Sequence, residues 1–350
     1  MKKNSNDMLL TVQWKNNSVI LIDQTKLPSK LRYVICKNHH QIARAIKTLT
    51  VRGAPAIGVT AGFGLALAAL NSKSKTTQEL SDNLLTAYDE IRSTRPTAVN
   101  LKWALDKLMK CIDHSKTVDQ VKNRIIQESK KMAQEDISIN KKIGSNGSIL
   151  FSNGDTILTH CNAGSLATVA YGTALGVIRS ANESGKKIHV IATETRPVMQ
   201  GSRLTAFELK HDKIDVSLIP DTAVGYIMSK NKIKHVVVGA DRILKTGHVF
   251  NKIGTYQLAL LAKTHNIPFY VAAPLSTFDL KSNLKDIVIE ERSKNEVLKI
   301  GNKFIAPDDI KVLNPAFDIT PPNLISGIIT EKGIISKPFN KNIKKLFKLV

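Results

Sequence analysis

The stretch THCNAGSLAT, residues 159–168, sets a thiol, an amide and a glycine directly after the apolar residues 156–158, where a strand is expected to turn into a helix. At a helix N-terminus the backbone dipole and free N–H groups stabilise a thiolate, which makes Cys161 a candidate for chemistry; the alternative is a small buried hydrophobe. Cys36 and Cys111, in a predicted strand and a predicted helix, have only that second reading. Asp241 follows the apolar run 236–238 through Gly239 and Ala240. Desolvation there would raise its pKa and let it carry a proton near neutral pH, whereas a helix cap or an ion pair with Arg242 would be purely structural. Arg52-Gly53-Ala54-Pro55, Arg95-Pro96 and Asn251-Lys252 are each expected to open a helix, with a cation and free N–H groups directed at an anion. Together these residues describe acid–base or thiol chemistry on an anionic small molecule.

Such residues need a scaffold that gathers them. From residue 156 onward, short apolar runs at 156–159, 188–193, 215–219, 236–238 and 269–272 alternate with helical segments such as 166–182 and 251–265. Continuous apolar strands alternating with helices predict a Rossmann-like, doubly wound parallel sheet. Ligands bind outside the carboxyl ends of such strands, and here those ends carry Cys161, Glu194, Arg196, Gln200, Asp221 and Asp241. Residues 9–14, 18–23 and 31–36 predict a small opening sheet, and 41–142 show helical spacing. The polar, glycine-containing stretch 140–153 breaks that spacing, so the expected fold is α/β: a small, mostly helical N-terminal domain with a short β-sheet over 1–145, then the Rossmann-like catalytic domain over 146–350.

The composition narrows the class. At 350 residues the chain exceeds the size of a single core, and 42% hydrophobic with 23% charged residues is the balance of a globular protein. Residues 54–70 are the most apolar stretch, yet they are too short for a typical membrane span and read as a buried helix. The N-terminus lacks the pattern of a secretory signal, so the expected location is the cytoplasm, with no membrane partner. Three dispersed cysteines without a CxxC pair argue against disulfides or a thiolate zinc site, and adjacent His39 and His40 would not share one helix face, so no metal is expected. The net charge of +22 favours anionic partners. Its lysines are spread along the chain and no nucleic-acid recognition motif is present, so a solvated basic surface is expected in place of nucleic-acid binding. Neither a Walker loop nor a dinucleotide fingerprint follows a strand, and no nucleotide cofactor is expected.

The blocks RGAPAIG (52–58), RPTAVNLKWALD (95–106), THCNAGSLAT (159–168), ETRPVMQGSRLTAFEL (194–209), GADRI (239–243), NKIGTYQLALLAK (251–263) and PFYVAAPLSTFDL (268–280) resemble the methylthioribose-1-phosphate isomerases of the initiation factor 2B-like superfamily. The likeness continues through IEERS (289–293) and residues 314–335, so it covers nearly the whole chain from about residue 18. It implies conversion of the sugar phosphate 5-methylthioribose 1-phosphate to 5-methylthioribulose 1-phosphate in methionine salvage, without cofactor or metal, by a homodimer. It further implies that Cys161 and Asp241 are catalytic and that Arg52, Gly53, Ala54, Arg95, Gln200, Asn251 and Lys252 bind substrate. Proton transfer through Cys161 and a direct C2-to-C1 hydride shift both fit the residues. Isomerases of ribose 1,5-bisphosphate or 5-deoxyribose 1-phosphate, and non-catalytic regulatory subunits of the initiation-factor type, are the alternatives. Two departures bear on them: the loop IPDTAVGYIMS (219–229) is nearer the regulatory subunits, and the basic tail 337–348 matches no assigned role.

Overall fold

The structure, a computed structural model, describes residues 8–96 and 98–348. It divides into two compact units, one made of residues up to Lys141 together with Ala163–Gly176, the other of Lys142–Asn162 and the chain from Val177 onward.

The first unit opens with an antiparallel sheet of β1 (Val12–Lys15), β2 (Ser18–Ile22) and β3 (Tyr33–Cys36). Asn16 and Asn17 link β1 and β2 with φ of 50° and 55°, the left-handed pair that a two-residue hairpin needs and that asparagine tolerates. Helices α1 (His39–Lys47), α2 (Ala54–Asn71), α3 (Thr77–Ser93), α4 (Val99–Met109) and most of α5 (Val118–Ser148) follow. The Asn38 side chain caps α1 by accepting from the Gln41 amide, and Thr76 caps α3 by accepting from the Glu79 amide. Helix α2 is apolar all round, as a helix enclosed by others must be, and its Phe63, Leu65 and Leu67 pack in one core with Ile42, Leu80, Ile91 and Leu101. It is long and apolar enough by composition to cross a membrane, and most of it is buried inside the protein.

The second unit is built on a seven-stranded sheet. Its strands are β4 (Thr156–Thr159), β5 (His189–Thr193), β6 (Asp215–Ile219), β7 (Ile233–Val238), β10 (Phe269–Ala272), β15 (Gly327–Thr330) and β16 (Gly333–Ile335), in the order β16-β15-β10-β7-β4-β5-β6. All pairs are parallel except the edge pair β15/β16. Read from β6, the six parallel strands follow the doubly wound order 3-2-1-4-5-6. Helices α6 (Ala174–Glu183), α7 (Ala206–His211), α8 (Val224–Ser229) and α9 (Thr255–Thr264) lie between strands in the chain. A second sheet, absent from the sequence reading, runs β11-β8-β9-β14 from β8 (Arg242–Leu244), β9 (Val249–Lys252), β11 (Phe278–Asp279) and β14 (Phe317–Thr320); β12 (Lys299–Ile300) and β13 (Lys303–Phe304) form a separate hairpin.

Three expected boundaries move. The helix predicted from residue 166 starts at Ala174: Ser165–Ala167 make one 3-10 turn, and Tyr171 and Gly172 then take left-handed φ of 74° and 85°. The apolar spacing there reflects burial of an irregular segment, with Thr168 Oγ1 donating to the Ala170 carbonyl in place of a helical ladder. The helix predicted from residue 251 starts at Thr255, because Asn251 and Lys252 end β9 and Gly254, at φ 101°, makes the turn. The polar stretch from 140 stays helical to Ser148; Asn140 donates to the Asp136 carbonyl within the helix, and a Cβ at Gly147 would lie 2.7 Å from Val177.

Within the first unit, Asp136 accepts the Val169 amide at 2.8 Å, and burial pushes its carboxyl up to about 7. The folded state therefore holds this proton more tightly than the unfolded chain. Stability falls as pH rises from about 4 to about 7, and the full cost of the buried charge is present above that. Asp136→Asn, neutral at every pH and still able to accept from Val169, is expected to raise Tm by about 2 °C or more at pH 8.5 and by clearly less at pH 5. Thermal melts at the two pH values check this, and an equal shift at both would refute it.

Candidate active site

Where the order of a doubly wound sheet reverses, neighbouring connections leave in opposite directions and a crevice opens beyond the strand ends. In this protein the reversal lies between β4 and β7, which pair in parallel through Leu158 and Val236. Cys161 follows β4 and Asp241 follows β7, so the two leave adjacent strands at the same rim.

Cys161 is buried and has a left-handed φ of 62°. Its conformation is held from both sides: its amide donates to Thr195 Oγ1 at 2.8 Å, and its carbonyl accepts from Thr205 Oγ1 at 2.6 Å. With α6 starting at Ala174, Cys161 is not at a helix N-terminus, so no helix dipole acts on its thiol as the sequence suggested. Asn162 donates to Glu208 Oε1 at 2.8 Å, and Arg179 donates to Glu208 Oε2 at 2.6 Å and to Asp212 Oδ2 at 2.5 Å. The Glu208 side chain is fully buried, so this ion network anchors the backbone beside the thiol.

The loop after β5 is equally fixed. Both oxygens of the Asp221 carboxylate are engaged, by the Thr195 amide at 2.8 Å and the Arg196 amide at 2.7 Å. Gln200 then leads into a π turn, Gly201–Thr205, where a Cβ at Gly201 would lie 1.7 Å from the Thr193 carbonyl oxygen, so only glycine fits. Gln200 is 7% exposed, and its Oε1 has no hydrogen-bond partner among the described residues.

Asp241 is half-buried and donates its amide to the Phe250 carbonyl at the start of β8, which removes the helix-cap reading; Arg242 pairs with Asp279 at 3.4 Å. Asn251 and Lys252 are buried on β9 next to β8, with Asn251 opposite Asp318 of β14 and the Lys252 ammonium 5.9 Å above the Phe317 ring. They lie on a strand, not at a helix start as the sequence suggested. Asp318 Oδ2 accepts the Gly254 amide at 2.7 Å, and burial pushes this carboxyl up to about 6. The second unit thus brings together Cys161, Gln200, Asp241, Asn251 and Lys252 on the rim and its adjoining sheet.

Arg52, Gly53, Ala54 and Arg95 belong to the first unit. Gly53, at φ 93°, is the N-cap of α2, with Pro55 in the first turn as expected; a Cβ at Gly53 would lie 2.4 Å from the Ala167 Cα, within the same unit. Arg95 is half-buried ahead of α4. His39, His40 and Glu90 are the one group with metal-ligand spacing among the described residues: His39 Nε2 and His40 Nδ1 lie 3.4 Å and 2.8 Å from Glu90 Oε2. Adjacent histidines do converge here, because Glu90 of α3 reaches both, in a partly exposed cluster of the first unit.

Residues 50–337 match the initiation factor 2 subunit family. A methylthioribose-1-phosphate isomerase of Pseudothermotoga lettingae is 54% identical over 339 residues, covering 97% of this chain and 98% of the relative, and one from Carboxydothermus hydrogenoformans is 52% identical over 340 residues, covering 96% and 98%. This chain belongs to that isomerase family. Among solved structures, the 5-methylthioribose 1-phosphate isomerase of Pyrococcus horikoshii OT3 superposes with a TM-score of 0.92 at 46% identity, covering 99% of each chain. A structure described as translation initiation factor eIF-2B subunit delta from A. fulgidus superposes with a TM-score of 0.87 at 49% identity, covering 97% of this chain and all of the other. The isomerase family likeness therefore spans both units, over 96–97% of this chain.

Glu208, His160 and Asp318 were not singled out as functional. Glu208 sits inside the recognised block 194–209, but nothing in its neighbours signals a partner 29 or 46 residues away. Removing one member of a buried ion network leaves the others uncompensated, so Glu208→Ala is expected to lose about 3–5 kcal/mol of stability. Chemical denaturation of the purified variant measures this, and a loss under about 1 kcal/mol would contradict the anchoring role.

Proposed function

We propose that this protein is an aldose–ketose isomerase that converts 5-methylthioribose 1-phosphate to 5-methylthioribulose 1-phosphate in methionine salvage, acting as a cytoplasmic homodimer without cofactor or metal. The observation that carries the reading is the placement of Cys161 and Asp241 after β4 and β7, on either side of the reversal in strand order. The names of the full-length relatives supply the substrate.

The substrate sets the chemistry. Its anomeric oxygen carries the phosphate, so the ring cannot open to a free aldehyde in the ordinary way. In the proposed sequence Asp241 donates a proton to the ring oxygen as the bond from C1 to that oxygen breaks. The Cys161 sulfur, acting as the base, takes the C2 proton, and the C2–H electron pair becomes the C1=C2 double bond of an enol. The enol then collapses: Asp241 takes back a proton from the C2 hydroxyl as the ketone forms, and the Cys161 thiol returns its proton to C1. Both side chains end in their starting states. Each proton transfer is worth roughly 10² to 10⁴ in rate. In the competing route a hydride passes directly from C2 to C1, and Cys161 assists without taking the proton.

The remaining roles are binding ones. Gln200, whose buried Oε1 meets no described partner, would accept from a substrate hydroxyl, since a buried acceptor left unpaired is costly. Lys252 and Asn251 would meet the phosphate and a sugar oxygen, and Arg52, Gly53, Ala54 and Arg95 are the further substrate-binding residues that the family likeness implies. The likeness to a structure described as an initiation-factor subunit favours a second reading, a non-catalytic binding protein.

One experiment separates them. Purified protein is incubated with 5-methylthioribose 1-phosphate in deuterated water and followed by NMR. Ketose formation is expected, and deuterium at C1 would implicate a base such as Cys161. Cys161→Ala and Asp241→Asn are each expected to cut kcat by at least about 10² with little change in KM. Turnover by the native protein on ribose 1,5-bisphosphate or 5-deoxyribose 1-phosphate alone would reassign the C5 substituent, and no turnover on any of the three would favour the binding protein.

A further inference from the structure

His160 precedes Cys161, is 2% exposed, and makes two short side-chain contacts: Nδ1 lies 2.6 Å from Thr193 Oγ1, and Nε2 lies 2.8 Å from the Ile253 carbonyl oxygen. A carbonyl can only accept, so Nε2 carries the hydrogen, and in the neutral ring Nδ1 then accepts from the Thr193 hydroxyl. Thr195, also fully buried, has its Oγ1 2.8 Å from the Cys161 amide and 3.2 Å from Thr193 Oγ1. Because the Thr193 hydrogen is used on His160 Nδ1, Thr195 is the donor in its contact with the Thr193 hydroxyl, and the Thr193 carbonyl, 3.3 Å away, is a second acceptor for the same hydrogen. The result is a buried chain: Cys161 N–H to Thr195, Thr195 to Thr193, Thr193 to His160 Nδ1, and His160 Nε2–H to Ile253.

The far end of this chain is the turn that leaves β9. Ile253 follows Lys252 and precedes Gly254. Gly254 lies against the imidazole so closely that a Cβ would come within 3.0 Å of its Cε1 and Nε2. On its other side the same turn is held by Asp318, which accepts the Gly254 amide.

We propose that His160 is a positioning residue that sets the spacing between Cys161 and the Asn251–Lys252 segment through this hydrogen-bond chain. The proposal rests on the isomerase reading above, in which Cys161 reacts and Asn251 and Lys252 bind. Its logic is that of a strut: the thiol's own amide and the carbonyl next to the binding lysine are opposite ends of one directional network. A displacement of about 1 Å between reacting groups can cost 10²-fold in rate. Burial holds the imidazole below its ordinary pKa, with Asp221 pulling it up and Lys252 pushing it down, so the neutral ring that the network requires is the favoured form.

The test has two arms. In native protein labelled with ¹⁵N-histidine, the ring signals lost on His160→Gln substitution identify His160. They are expected to show the neutral, Nε2-protonated tautomer between pH 6 and 8. An Nδ1-protonated ring or an imidazolium at pH 7 would overturn the proposal whether or not the protein is an isomerase. In the second arm, Thr193→Val removes the hydroxyl at nearly constant volume, and Thr193→Ser retains it. Thr193→Val is expected to lower kcat on 5-methylthioribose 1-phosphate at least tenfold, and Thr193→Ser to restore it to within about threefold of native. Unchanged kcat in a folded Thr193→Val variant, or a serine variant as slow as the valine one, would overturn it. Absence of turnover in the native protein would instead be a failure of the isomerase reading, with the tautomer arm still deciding whether the chain of bonds exists.

Discussion

The reversal of strand order between β4 and β7 is the constraint from which the site follows. Right-handed crossovers wound outward from a central pair of parallel strands must diverge, so the ends of that pair are left uncovered by their own connections. In this sheet the central pair carries Cys161 on one strand and Asp241 on the other. A thiol and a carboxyl separated by 80 positions in the chain thereby become neighbours on one rim without any local sequence signal between them.

That opening places irregular, polar backbone in buried surroundings, where each unpaired N–H or C=O would cost free energy. The second unit answers with side chains that bond to the backbone. Thr195 and Thr205 hold Cys161, Asp221 spans the amides of Thr195 and Arg196, and Asp318 holds Gly254. Glu208 does the same for the Asn162 amide side chain, and its own charge is balanced by Arg179. The loops of the site are thus specified by polar contacts, in contrast to α2, whose position follows from apolar packing on every side. Loops fixed in this way suit chemistry that depends on aligned proton transfers, because the groups need little reorganisation at the moment of reaction.

The sequence was most legible where local chemistry and tertiary structure agree. The apolar runs 156–159 and 269–272 are strands with those bounds, since β-branched and apolar residues bounded by polar ones suit a sheet buried on both faces, and 215–219 is the mostly exposed edge strand with the bounds expected. Recognition of the family was equally direct, because relatives more than 50% identical cover 96–97% of the chain. What could not be read were helix starts that depend on a residue's surroundings. Apolar spacing after Gly164 looked helical, yet Tyr171 and Gly172 take left-handed backbone and delay α6 to Ala174. The pairing of Asn251 with β14 was hidden for the same reason: its partner Asp318 is 67 residues away, and Asn251-Lys252 alone reads as a helical first turn. The contacts of His160 with Ile253, 93 residues on, and of Asn162 with Glu208, 46 residues on, belong to this class.

The segment Ala163–Gly176 has a consequence for how the chain is made. It belongs to the first unit although the second unit's β4 precedes it, and it meets the N-terminal region through backbone partners: Val169 accepts the Thr11 amide, Ser165 accepts the Thr11 hydroxyl, and Leu166 accepts the Gln24 side chain. A nascent chain that has emerged only through α5 would therefore hold a first unit with buried donors still waiting for acceptors. Completion of that unit has to wait until the residues just beyond the thiol have left the ribosome, and the two units are interleaved in time as well as in sequence.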